Sequence, residues 1–96
     1  MKAEIEIGDY SSDKGVQLKL ERGYSVKVKN ENDEILIMAN KEGLISLANH
    51  LLVLAQEGVE VGTHIHLDAY NSLEEDSIDL IIERRALKIF EFLLII

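Results

Sequence analysis

A chain of 96 residues holds one domain and leaves no material for a second core. Its 47% hydrophobic and 29% charged residues suit a globular fold and set aside a disordered tail. Eighteen acids against ten bases give a formal charge of -8, which repels nucleic acid and anionic membranes, and the lack of cysteine excludes disulfides, thiolate nucleophiles and cysteine-ligated metals.

The N-terminal MKAEIEIGDY carries alternating acids instead of an apolar signal-peptide core, so a cytoplasmic location is expected. In residues 3–7, Ala3, Ile5 and Ile7 alternate with Glu4 and Glu6, the pattern of a strand with one wet face. GDYSSDKG (8–15) is a turn-rich connection. Val16, Leu18 and Leu20, then the turn ERG, then Tyr24, Val26 and Val28 predict a hairpin of 16–20 with 24–28. Acids on the first strand and lysines on the next two are placed to pair across the exposed face. NENDE (30–34) has good turn chemistry, and ILIMA (35–39) is apolar at both parities, predicting a strand that is central or covered on its second side.

A long helix is predicted over 41–57. Leu44, Leu47, Ala48, Leu51, Leu52 and Ala55 fall at the spacing of one apolar stripe, read as the face toward the core. Asn40 offers an oxygen to the free amides of the first turn, Glu42 suits the positive end of the helix dipole, and Gly58 can adopt the left-handed conformation that ends the helix. Beyond VEVG, residues 64–68 predict a strand with Ile65 and Leu67 inward and His64, His66 and Asp68 on the other face. A polar loop, AYNSLEEDS, leads to a last strand with Ile78, Leu80 and Ile82 inward. The tail, residues 84–96, fits a helix or an edge strand; LKIFEFLLII contains Lys88 and Glu91 and falls short of the roughly 20 residues that span a bilayer. Its apolar excess predicts a homodimer formed through the tail. The expected architecture is α+β: one antiparallel sheet of about six strands with the long helix across one face.

Chemistry is sparsely written. His64 and His66 leave one strand face at a spacing from which two imidazoles converge on one ion, and Asp68 continues the row. This row reads as a metal site, as a partner contact or as a solvated face. His50, on the flank of the helix stripe, does not join it. Glu74, Glu75 and Asp76 form a loop carboxylate cluster without an implied pocket. Six singly spread glycines give no phosphate cradle, and neither Ser46 nor Ser72 has a nucleophile signature. No cofactor and no catalytic residue is indicated.

KEGLISLANHLLVLAQEG, followed by GTHIHLDAYNSLEEDSIDLII, resembles a family of small bacterial immunity proteins, the thirty-second of the polymorphic-toxin immunity series. The likeness rests on GLxxLAxHLLxLA, GxHxHLD, NSLE and LII across about residues 41–83, with Asp76 standing where that pattern has a glycine. The resemblance implies a cytoplasmic, non-catalytic protein that neutralises a cognate toxin by direct contact; His64, His66, Asp68, Asn71 and Glu74 match the motif. The expected partner-binding residues are these with Glu75, and the acidic charge suits a basic toxin. The alternative is a metal-binding or metal-dependent hydrolytic domain using His64, His66 and Asp68.

Overall fold

Asn40 is the hinge on which the chain turns from sheet to helix. Its Oδ1 accepts from the Gly43 amide at 2.8 Å, capping the helix, and from the Ser25 amide at 2.9 Å, tying the cap to the neighbouring strand. In the computed structural model, which describes residues 1–8, 10–11, 15–16 and 18–86, this cap starts α1 (Lys41–Leu54), and Gly58 follows in the left-handed region at φ 84°. The helix ends three residues earlier than the 41–57 expected, and Arg84 holds carbonyls at and just past its end: Nη1 donates to Leu54 O at 2.6 Å and to Gln56 O at 2.9 Å.

The fold is α+β and antiparallel, but the strands form three two-stranded sheets in place of one six-stranded sheet. β1 (Tyr10–Ser11) pairs with β2 (Gly15–Val16), β3 (Val26–Glu31) with β4 (Glu34–Ala39), and β5 (His64–Leu67) with β6 (Leu80–Glu83). The second and third sheets are linked by backbone bonds from Glu74 N to Val26 O and from Ile78 N to Val28 O, both 2.9 Å. The core sits between them and α1: Val26, Val28, Leu54, Ile65, Leu67 and Leu73 are buried together, with Leu47, Leu80 and Ile82 packed alongside.

Two strand pairings differ from expectation. Val26 and Val28 pair with Ala39 and Ile37 through a two-residue turn, instead of with residues 16–20. Asn32 and Asp33 take positive φ, 49° and 63°, the backbone of a tight hairpin turn whose twist matches its strands. The ERG segment does turn, with Tyr24 N bonding Glu21 O, yet Leu18 and Leu20 remain exposed and outside any strand. Residues 3–7 are not a strand either; this segment is tied instead to side chains on and just after the helix, where Asn49 Nδ2 donates to Glu6 O at 2.6 Å and Gln56 Nε2 to the following Gly8 O at 2.8 Å. The anticipated acid–lysine pairing survives in Lys19 and Glu6, 3.6 Å apart.

The helix also buries a different face from the predicted stripe. Gly43, Ser46, Asn49, His50, Val53 and Leu54 are inward, while Leu44, Leu51 and Leu52 are exposed, Leu44 at 57%. Gly43 decides this. A Cβ there would lie 2.3 Å from Ser25 O and 2.9 Å from Val26 Cγ2, so only glycine lets the helix backbone sit this close to β3. Helical periodicity then turns Ser46 and His50 inward, where Ser46 Oγ accepts from Glu21 N and donates to Glu42 O, both 2.8 Å. Burial lowers the pKa of His50 below its usual value and holds the ring neutral. Its Nδ1 and Asn49 Oδ1 are buried without a partner among the described residues. Residues 35–38, expected to be covered, are exposed on both faces of β4. Arg84, Arg85 and Ala86 lie in neither helix nor strand, and the tail expectation, with the dimer resting on it, otherwise falls on 87–96, outside the described residues. Among the described residues no helix is long and apolar enough to cross a membrane.

Candidate partner-binding surface

The β5–β6 hairpin alternates as its sequence predicts: His64 and His66 are exposed, Ile65 and Leu67 buried. The register pairs His66 with Ile81 and Leu67 with Leu80, so one further step sets Asp68 opposite Asp79. Asp79 is thereby the diagonal neighbour of His66, and its Oδ2 lies 2.8 Å from His66 Nε2. The next strand begins at Leu80 instead of Ile78, which leaves Asp79 free to swing toward the histidine.

This geometry revises the metal row. His66, Asp68 and Asp79 bring ligand atoms within 4.8 Å of one another, and His64 is not part of the group. Its Nδ1 lies 3.2 Å from Gly62 O. Same-strand neighbours stand about 6–7 Å apart at the backbone, whereas the cross-strand diagonal lets side chains meet. Asp68 is moreover committed to its own loop: Oδ1 accepts from Tyr70 N at 2.8 Å and Asn71 N at 3.0 Å, and its carbonyl accepts from Leu73 N at 2.8 Å. The row His64, His66 and Asp68 therefore does not assemble a three-ligand site.

The motif residues build the loop that follows. Asn71 Oδ1 accepts from Asp68 N at 3.1 Å, and Asn71 Nδ2 donates to His66 O at 3.3 Å. Leu73, 6% exposed, anchors the loop in the core. Glu74 then joins β3 through its amide and accepts from Ser25 Oγ at 2.5 Å. Asp76 takes φ 65°, the left-handed conformation in which glycine carries no Cβ penalty. Glu75 is exposed without an assigned bond.

What this framework presents is Tyr70. Its amide is fixed by Asp68 while its side chain is 100% exposed. It stands at a cleft of about 300 Å³ lined by Tyr24, Ser25, Ala69, Asn71, Ser72 and Glu74 among others. Sequence reasoning included Tyr70 only as the start of the acidic loop 70–77 expected to contact the partner, and missed Asp79. Tyr70 carried a signal, an aromatic in an otherwise polar loop, and Asp79 would have followed from the hairpin register.

A protein-family model described as Immunity protein 32 matches residues 34–85, just over half the chain, from β4 through the whole of the β5–β6 hairpin. No curated protein and no solved structure matches.

Proposed function

The chain belongs to the immunity protein 32 family, and from that premise we propose that it binds a cognate bacterial toxin directly and neutralises it through His64, His66 and the 68–76 loop. Immunity proteins of this family are not enzymes, so the side chains of the hairpin are read as contacts and not as catalysts. The observation that carries the surface is Tyr70, wholly exposed on a loop whose backbone is already fixed by Asp68 and Asn71. A rigid aromatic on an ordered loop offers large contact area at little entropic loss on binding, the character of an interface anchor. Asp68 and Asn71 hold the loop; His64, His66, Glu74 and Glu75 supply the polar rim around Tyr70.

The formal charge of -8 favours a basic toxin and speeds its approach. The protein acts in the cytoplasm of the cell that makes the toxin. Co-expression with a cognate toxin domain tests the reading: growth is protected and a stable complex co-elutes, with an association rate that falls as salt rises. Continued toxicity with no complex contradicts it.

A further inference from the structure

We infer that the outer edge of β4 pairs with β4 of a second copy of this chain, in antiparallel register about a two-fold axis at Ile37. The Asn32–Asp33 turn makes Glu31 and Glu34 a hydrogen-bonded pair, and alternation down the ladder makes Lys29–Leu36 and Lys27–Met38 the next two. Asn40 N bonding Ser25 O at 3.2 Å continues the same alternation. The amides and carbonyls of Ile35, Ile37 and Ala39 therefore point away from β3. Among the described residues no strand pairs with that edge.

Natural edges of this kind are blunted by lysine, proline or a bulge. This one has none of them between Glu34 and Lys41, and its side chains are exposed: Ile35 58%, Leu36 39%, Ile37 44% and Met38 39%. Joining the free groups of two copies sets Ile37 against Ile37, Ile35 against Ala39 and Leu36 against Met38, so every cross-strand pair is apolar. The same register brings Glu34 to Asn40 and Asp33 to the end of α1 that begins at Lys41, so no like charges meet and one opposite pair forms twice. A basic toxin would instead be drawn to carboxylates, which this edge lacks from residue 35 to residue 39. The four side chains amount to on the order of 300 Å² per copy, below the roughly 800 Å² of a standard interface, so the dimer is weak and concentration-dependent.

The test is mass in solution together with cross-linking, on the full chain. Wild type is dimeric at about 100 μM and dissociates on dilution. Ile37→Lys is monomeric with unchanged circular dichroism. Ile35→Lys, a change at a side chain already more than half exposed, gives the same result if Ile37→Lys fails to fold. Because the chain has no cysteine, Ile37→Cys forms one intermolecular disulfide on oxidation, since directly opposed residues on such strands are about 5.5 Å apart. Leu52→Cys, on the outer helix face, does not. A wild-type monomer at 100 μM, or a dimer that survives both lysine variants, overturns the proposal, and the second outcome points to another surface such as residues 87–96. Toxin binding is read separately, since neither lysine variant touches the 68–76 loop.

Discussion

Residues 3–7 and residues 64–68 alternate apolar and polar side chains alike, yet only the second segment enters a ladder. The difference lies in where each backbone finds its partners. In the C-terminal stretch the chain supplies its own: the ladder from His64–Glu83 to Leu67–Leu80 is closed by a loop that Asp68 and Asn71 staple internally. In the N-terminal stretch the carbonyls of Glu6 and the adjoining Gly8 are taken by Asn49 of α1 and by Gln56 just beyond it, and the amide of Glu21, which follows the stretch, by Ser46. The C-terminal region is held by its own ladder together with bonds to β3, the N-terminal one by polar side chains on α1 and just beyond it. The proposed toxin contact draws on that contrast, because a loop whose backbone is already bonded can present Tyr70 without first becoming ordered.

The largest effect comes from removing the helix seating on which the N-terminal stretch depends. Gly43→Ala drives a Cβ into Ser25 O, and overpacking of this kind costs about 2 to 3 kcal/mol. For a domain of this size thermal unfolding then moves down by more than about 10 °C. Unchanged melting would show that the close approach of α1 and β3 is not what orients the helix. A smaller and more selective change is Asn49→Ala, which deletes the bond to Glu6 O and costs up to about 1 kcal/mol. Amide exchange then accelerates at residues 4–8 and stays as it was at 64–83. Acceleration in both regions would dissolve the comparison.

Much of this was legible because it is local. Asn40 as a cap, NENDE as a turn and the inward Ile65 and Leu67 each depend on a handful of consecutive residues and are found where the sequence puts them, whereas the helix ends at its cap, Ala55, ahead of Gly58. The buried face of α1 was not legible. Leucines at helical spacing advertise a core stripe, but a single glycine fixes the contact with β3, and two of the polar residues it turns inward, Ser46 and Asn49, bond segments 25 and 43 positions away. Likewise, the row of His64, His66 and Asp68 followed from one strand alone; pairing that strand with β6 exchanges His64 for Asp79. The motif residues Asp68, Asn71 and Glu74 stand out in the sequence partly because they build the loop.

Asp76 sharpens the contrast from the other side. Its left-handed backbone is of the kind glycine adopts freely, so Asp76→Gly raises stability by up to about 1 kcal/mol, read as a higher denaturant midpoint. A lower midpoint would mean that the Asp76 side chain contributes to the loop in a way its geometry does not reveal.

The most direct measurement is the affinity of Tyr70→Ala for the cognate toxin domain, compared with wild type by calorimetry. An anchor contributes about 2 kcal/mol or more, so the dissociation constant rises at least roughly 30-fold while circular dichroism and melting stay unchanged. Wild-type affinity in Tyr70→Ala would contradict the assignment of the 68–76 loop as the toxin-binding surface.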